Sequence, residues 1–494
     1  MTEEELRRQR IEKIARLREA GVPPYPERYE RTHRLAEAAR LPEGTKVRVC
    51  GRMTGFRAMG KLSFAHIADV EGRLQVALTD ETMGREQHRS WAKLLDLGDF
   101  VGVEGELFRT KTGEITVKVA TLAFLGKALR PLPEKWHGVA DRELCYRQRY
   151  LDLVSNDETR KRFRVRTRIV SAIRRFLEEN GFEEVETPVL TSKPSGALAR
   201  PFATHHRALD IDVFLRIAPE TYLKRLVVGG YDRVYEFARC FRNEGMDPSH
   251  LQDFTMLEFY AAFWNYEDNM EFTRKLVQRT LQEVFGTLTV EIAGAPLDFS
   301  GEWPRLGVAE VVREHSGIDL ARHPDAASLA AEIARRGIEV EDAAKLGRGA
   351  LIDQIYKKTA RPRLRGPVFL VGHPIELSPL ARKSDADPAR TDRFQLLVAG
   401  WEIVNAYSEL VDPLDQRARL EEQSRLRAAG DDEAMALDED YLLAMEYGMP
   451  PISGWGMGID RFVTLVTGQE NLRDVVFFPL MRPPESDAAR EPTS

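Results

Sequence analysis

Cysteine is scarce in this chain: the 494 residues contain three, Cys50, Cys145 and Cys240, each far from the others. No spacing of the zinc-binding kind accompanies them and they suggest no disulfide framework. Metal-scaffolded and disulfide-stapled folds are thereby excluded, and a reduced, intracellular protein with buried thiols is expected. Long apolar runs are also lacking. No stretch approaches the ~20 residues of a membrane helix, and the first residues, MTEEELRRQRIEK, have no apolar core of the signal-peptide kind. Nor does charge of one sign dominate. A net charge of −6 argues against a protein that coats nucleic acid indiscriminately, yet allows a local patch that engages RNA.

What is present is a globular composition, 43% hydrophobic and 30% charged, in a chain long enough for about two or three domains. Residues 234–260, VYEFARCFRNEGMDPSHLQDFTMLEFY, organise the rest. Alternation predicts two strands around a turn-rich loop, with Phe254, Met256, Glu258 and Tyr260 on one face and Arg242 and Glu244 where strand meets loop. An amphipathic hairpin with solvated charges would read the same way.

In chain order, residues 3–20 predict a helix with Leu6, Ile11, Ile14 and Leu17 as its apolar stripe and a basic opposite face. Residues 46–125 break into short strands around one helical stretch near Trp91, the pattern of a five-stranded OB-type barrel. Within it GFRAMGK imitates a phosphate loop, but Leu62 follows the lysine and a strand follows in turn, where the chemistry needs a helix N-terminus. It is rejected. Phe64 and Gln75 fall on adjacent strands there. An aromatic platform beside an amide suits single-stranded RNA, although a core Phe and a surface Gln would have the same spacing. Prolines and dense charge mark residues 127–156 as a linker.

A helix is expected over 158–180, stopped by Gly181 and followed by extended VETPVL. Gly196 opens a loop, and Glu220 follows Pro219 at a helix start. His205 and His206 have no partners at ligand spacing and are read as structural. Residues 265–390 look helical and irregular, with a helical pair over 320–345, before strand signals in RGPVFLVGHP and HPIELSPLARK. TDRFQLLVAGWEIVNAYSEL predicts a hairpin turning at Gly400, with Asn405, Tyr407 and Glu409 on one face. Gly454, Gly456 and Gly458 lead into a helix bearing Arg461 in its first turn, a plausible polyphosphate site.

The strings FRNE and FTMLEFY resemble motif 2 of class II aminoacyl-tRNA synthetases, in particular the bacterial type of lysyl-tRNA synthetase. The 158–190 region resembles motif 1 and SGWGMGIDRF motif 3, while MGK-SF, GR-Q and TKTGE resemble the family's anticodon-binding barrel. The resemblance runs in order from about residue 45 to 483. It implies an α+β protein: a helical extension (1–45), an OB-type barrel (46–126), a hinge (127–156), a catalytic domain (157–484) built on an antiparallel sheet flanked by helices, with a helical insertion at about 305–360, and a disordered tail (485–494).

It implies further that L-lysine and ATP form lysyl-adenylate and that the lysyl group passes to tRNA(Lys), in a cytoplasmic homodimer that uses Mg²⁺. By resemblance, Arg242 and Arg461 are catalytic. Gly196, Glu220, Arg242, Glu258, Tyr260, Asn405, Tyr407 and Glu409 would hold lysine; Arg242, Glu244, His250, Phe254, Glu402, Gly458 and Arg461 would hold ATP. Arg57, Phe64, Gln75 and Glu114 would handle the anticodon, and Glu402 with Gln395 would stand at the metal positions.

Three departures are visible. HLQDF replaces the family's common HNPEF, Gln395 puts an amide where a carboxylate is usual, and Val404 and Ala406 stand where glycines are frequent. An amide oxygen can ligate Mg²⁺ but adds no charge. Regular alternation would also set Glu402 opposite Asn405 unless a bulge intervenes. The rival readings are an aspartyl- or asparaginyl-tRNA synthetase, which would need a cation facing the substrate side chain where Glu409 stands, and a paralogue that binds tRNA or transfers lysine without charging tRNA.

Overall fold

Alternating valines and leucines close the N-terminal barrel. On β1 (Lys46–Met59), β2 (Leu62–Ala68), β3 (Arg73–Thr79), β4 (Phe100–Arg109) and β5 (Ile115–Gly126), the inward-facing residues, among them Val49, Ile67, Val76, Val103 and Val117, are buried. The strands join in the order β1-β2-β3-β5-β4, and the helix Arg85–Leu94 packs Trp91 and Leu94 into the same core. The rejected GFRAMGK string lies on β1 and its turn into β2, with Gly60 at φ +71° and no helix after it.

The computed structural model describes residues 2–132, 141–197, 199–428 and 435–483; part of the expected hinge and the expected tail lie outside them. The chain divides into two units, Met1–Arg160 and Lys161–Ser494.

The first helix, Glu3–Glu19, starts at a Thr2–Glu5 capping box. Its stripe is not the one expected. Leu17 is buried, but Ile11 is 41% exposed and Arg10 is buried instead. The Arg10 guanidinium donates to the carbonyls of Ala128 and Arg130, which lets its long stem fill an apolar position. Beyond this helix, the described residues of the extension hold one more short helical element, Leu35–Ala38. The thiols also differ from expectation, with Cys240 buried but Cys50 and Cys145 only half-buried.

The second unit contains β6 (Glu183–Glu184), β7 (Leu190–Thr191), β8 (Ala203–His206), β9 (Ile211–Leu215), β10 (Arg233–Phe241), β11 (Asp253–Ala262), β12 (Thr289–Ile292), β13 (Ala295–Asp298), β14 (Arg305–Gly307), β15 (Val368–Val371), β16 (Arg393–Val398), β17 (Trp401–Ser408) and β18 (Ile452–Gly458). Eight of them form one sheet in the order β14-β15-β16-β17-β18-β11-β10-β6. It is antiparallel from β15 to β10, but its edge pairs β14–β15 and β10–β6 are parallel, so the sheet is mixed. Each edge partner is reached by a long crossover, the connection a parallel pair requires.

One face carries the main core. Ile169, Ile173 and Leu177 of the helix Asp157–Glu179, Leu276 and Val277 of the helix Tyr266–Phe285, and Phe462 and Val463 of the helix Ile459–Val466 pack there on Leu257, Phe259 and Trp455. The side chains that alternate with these on β11 point to the opposite face, where the site lies.

Residues 308–364 build a separate core around Val312, Leu329, Ile333 and Leu351. Residues 320–345 contribute a single α-helix, Ala326–Arg335, with 3-10 turns on either side rather than the expected pair; Gly337 at φ +68° turns the chain away. HPIELSPLARK holds a 3-10 turn, Ile375–Leu377, instead of a strand, since its prolines cannot donate to a ladder. The β12–β13 hairpin was not expected. Its turn, Ala293–Gly294, has both φ angles positive (50° and 73°), the conformation that matches strand twist in a tight hairpin. Among the described residues no helix is long and apolar enough to cross a membrane.

Candidate active site

Three neighbouring strands make the floor of the site. β11, β18 and β17 align Tyr260, Gly454 and Tyr407 in one row and Glu258, Gly456 and Asn405 in the next. The middle strand offers glycine at both positions, so the side chains on either side wall a trough. A Cβ on Gly454 would stand 2.0 Å from Glu409 Oε1 and 2.4 Å from the Tyr260 ring. The alternating glycines are thus strand residues that make room, and they lead directly into the helix Ile459–Val466, as expected. The trough widens into a cavity of about 310 Å³.

One end is cationic. Arg242 leaves β10 at the cavity wall, its guanidinium 5.1 Å from the Phe254 ring centroid and its buried Nε without a partner. Arg461, in the helix after β18, donates to the Glu402 carbonyl (3.3 Å) and to His250 Nε2 (3.1 Å). A guanidinium can only donate, so Nε2 accepts, and the His250 proton sits on Nδ1, which bonds Asp247 Oδ2 at 2.7 Å. Burial lowers the Arg461 pKa from its usual value, while Glu402 opposes that effect. Glu244 and Gly458 line the same end.

Glu402 reaches this cavity through a bulge. Leu396 pairs with Val404 but Leu397 pairs with Glu402, so Ile403 is the extra residue and Glu402 turns to the side of Asn405. Both line the cavity. Gln395 pairs with Asn405 across the ladder but lies outside the lining, 8% exposed. Its neighbour His373 is held at a pKa of about 3 by burial and by the charge of Arg393. Among the described residues no group of His, Cys, Asp and Glu could hold a metal by itself. A magnesium ion that arrives with ATP typically takes one or two carboxylates and completes its shell with phosphate and water. Glu402 beside the arginine end fits that requirement.

The other end is acidic. Glu220 begins the helix Glu220–Val228 and accepts from the Tyr407 hydroxyl at 2.7 Å. Glu258 accepts from the Tyr260 hydroxyl at 3.2 Å. Burial, with the charge of Glu220 added, pushes the Glu258 carboxyl up to about 8. Gly196, at φ +90°, lies against Glu220; a Cβ there would be 3.2 Å from the Glu220 Cβ. Glu409 stands behind the trough wall, fully buried.

Two cations at this end were missed by sequence reasoning. Lys224 Nζ sits 2.6 Å from Glu220 Oε1 and 2.5 Å from Glu409 Oε2. Its position four residues after Glu220 on a helix was a legible signal. Arg393 lines the cavity and donates to Asn405 Oδ1, the Leu377 carbonyl and Ser378 Oγ. Nothing in its spacing announced it.

In the barrel, Arg57 and Phe64 are cross-strand partners. Phe64 is half-buried on the outer face, between the inward Ser63 and Ala65, so it is not a core residue. Gln75 donates to Glu114 Oε2 and accepts from Thr116 Oγ1, both at 2.8 Å, and Glu114 Oε1 lies 3.0 Å from His66 Nε2. His66 is an addition to this group. On the inner side, Ser63, His88 and Asp80 form a hydrogen-bonded relay at 2.8 and 2.7 Å. Ser63 is 1% and His88 2% exposed, so no substrate reaches this triad and it is structural.

Residues 141–482 match the family model described as tRNA synthetases class II (D, K and N), and residues 47–123 match the OB-fold nucleic acid binding domain. The chain is 46% identical over 484 residues to the lysine–tRNA ligase of Pelotomaculum thermopropionicum, covering 97% of this chain and 96% of that one. It is 45% identical to the lysine–tRNA ligase of Carboxydothermus hydrogenoformans (97% and 98% covered) and 47% identical to that of Magnetococcus marinus (95% of each). With a barrel, a glycine-floored trough and near-complete coverage in agreement, the chain belongs to the lysine–tRNA ligase family of class II tRNA synthetases.

Proposed function

We propose that this chain activates L-lysine with ATP, releasing diphosphate, and transfers the lysyl group to the 3′ end of tRNA(Lys). The observation that carries this reading is a single cavity with arginines at one end and carboxylates at the other. Lysine carries two ammonium groups and one carboxylate, and it needs that polarity. No protein nucleophile is required, because the substrate carboxylate attacks the α-phosphorus and catalysis rests on positioning and charge stabilisation.

Arg242 grips the α-phosphate and the lysine carboxylate, which its planar fork suits. Phe254 stacks on adenine, Glu244 accepts from the base, and Arg461, braced by His250, takes the terminal phosphates. Gly458 lets the nucleotide approach the backbone. Glu402 would hold Mg²⁺ in part, and the ion would supply neutralisation of phosphate charge when bound. Glu220 receives the α-ammonium beside Gly196, and Glu409, Tyr260 and Glu258 receive the ε-ammonium, with Asn405 and Tyr407 completing the wall.

An aspartate or asparagine site would present a free cation at the acidic end. Lys224 is bound between two glutamates and Arg393 is committed to Asn405, Leu377 and Ser378, which favours lysine. Arg57, Phe64, Gln75 and Glu114 form the anticodon surface of the barrel. A cytoplasmic homodimer belongs to this reading; exposed Leu190, Leu209 and Ile211 on and around the small β7-β9-β8 sheet support an apolar contact between subunits. Lysine-dependent ATP–diphosphate exchange, followed by charging of tRNA(Lys), tests the proposal. Exchange driven by aspartate or asparagine, or tRNA binding with no exchange at all, would overturn it.

A further inference from the structure

Lys224 is fully buried yet faces the acidic end of the active site. Its ammonium touches Glu220 Oε1 at 2.6 Å and Glu409 Oε2 at 2.5 Å, and the rings of Tyr260, Tyr407 and Tyr441 surround it with centroids 5.9, 5.8 and 5.7 Å away. Two carboxylates and three aromatic faces are also what a substrate ammonium would require. The protein has placed one of its own lysines there.

Among the described residues, this ion pair alone holds the Glu409 carboxylate. Neither of its oxygens has an aligned hydrogen-bond donor, although both are buried. Oε1 points at the glycine floor, where a Cβ on Gly454 would touch it at 2.0 Å. That oxygen and the Tyr260 ring fill the space a Gly454 side chain would take, which brings the carboxylate up to the floor of the trough itself. An ammonium lying over Gly454 between Tyr260 and Tyr407 would be the aligned donor that Glu409 lacks.

We propose that Lys224 is a positioning residue for substrate recognition: it keeps Glu409 ionised in the closed pocket and turns its free oxygen towards the substrate's ammonium, while tying Glu409 to Glu220. This rests on the lysine-activating reading above. The groups that face Lys224 and Glu409 are Glu220 from the same helix, Glu258 and Tyr260 from β11, Tyr407 from β17 and Tyr441 from the helix Glu439–Glu446. Three of the groups gathered here, counting Glu409, are carboxylates, and crowded buried carboxylates keep their protons unless a cation is supplied. A protonated Glu409 has no charge to offer an ammonium. Burial raises the Glu409 carboxyl well above its usual value, and the Lys224 charge beside it pulls the other way before the substrate arrives.

The test is lysine-dependent exchange by Lys224→Met, followed from neutral to mildly alkaline pH. The lysine KM should rise about tenfold or more near neutrality and recover in part as pH rises and Glu409 ionises unaided. The ATP KM should stay at the wild-type value. In a Glu409→Gln background the same substitution should add less than about threefold, because its effect acts through Glu409. Where Lys224→Met fails to melt cooperatively, Lys224→Gln is read in its place. A loss that is equal at every pH and equal in both backgrounds would reduce Lys224 to a packing role and overturn the inference. A wild-type enzyme whose exchange does not depend on lysine would instead overturn the functional reading.

Discussion

His250 Nε2 accepts a hydrogen bond from Arg461 Nη2 at 3.1 Å, so the loop between β10 and β11 is fastened to the helix that follows β18. The family's common sequence differs from this loop in the residues just after His250, yet the histidine still orients the arginine. Removing it should loosen the arginine end of the cavity alone. His250→Ala is expected to raise the ATP KM about fivefold, since a half-exposed bond to a charged group contributes about 1 kcal/mol. The lysine KM should not move. Exchange measured against each substrate in turn checks both halves.

Glu409→Gln keeps shape and removes charge. Breaking one side of a buried ion pair typically costs about 3–5 kcal/mol, or roughly two to three and a half decades in lysine kcat/KM. ATP affinity should be unchanged, because Arg242, Phe254 and Arg461 are untouched. A loss below tenfold, with lysine still preferred, would remove Glu409 from recognition of the substrate.

Phe64→Ala should weaken tRNA recognition by roughly 1–3 kcal/mol, the worth of a stacked base. Phe64 lies on the outer face of the barrel, so diphosphate exchange and the melting temperature should barely change. Equal damage to exchange and charging would show that the ring is packing rather than reading.

Glu258 makes a pH prediction. Its carboxyl is raised by burial and by Glu220 from 4.5 to about 8 in the folded protein. A group raised on folding contributes stability that is fully present below its unfolded pKa and is lost as pH rises through its folded one. The melting temperature of the empty enzyme should therefore fall as pH climbs from about 4.5 to about 8. Lysine brings cations beside this carboxyl and should expel its proton near neutrality. Calorimetry in two buffers of different ionisation enthalpy measures that release, and Glu258→Gln should reduce it.

At the phosphate end, Glu402→Gln should raise the Mg²⁺ concentration needed for half-maximal exchange, because a neutral oxygen replaces a charged one. An unchanged requirement would place the ion elsewhere.

Alternation along β11 was enough to put Phe254, Met256, Glu258 and Tyr260 on one face, and the barrel strands were legible for the same reason. Side chains two apart share a face whatever the strand pairs with, so this information is local. The resemblance of the motifs then named the chemistry in advance of any coordinates. Only the tertiary structure could decide the rest. Whether Glu402 joins Asn405 depended on a bulge at Ile403, which exists in the pairing of β16 with β17 and not in either strand alone. The 320–345 segment read as two helices because its alanines favour helix locally, but Gly337, at φ +68°, turns the chain away after the one helix that forms, whose Leu329 and Ile333 share a core with Leu351. Lys224 was visible as a neighbour of Glu220 one helical turn away, but its second partner, Glu409, is brought to it by the docking of that helix on β10 and β11. Long-range ion pairs of this kind carry no period and no spacing, because the fold and not the chain sets the distance.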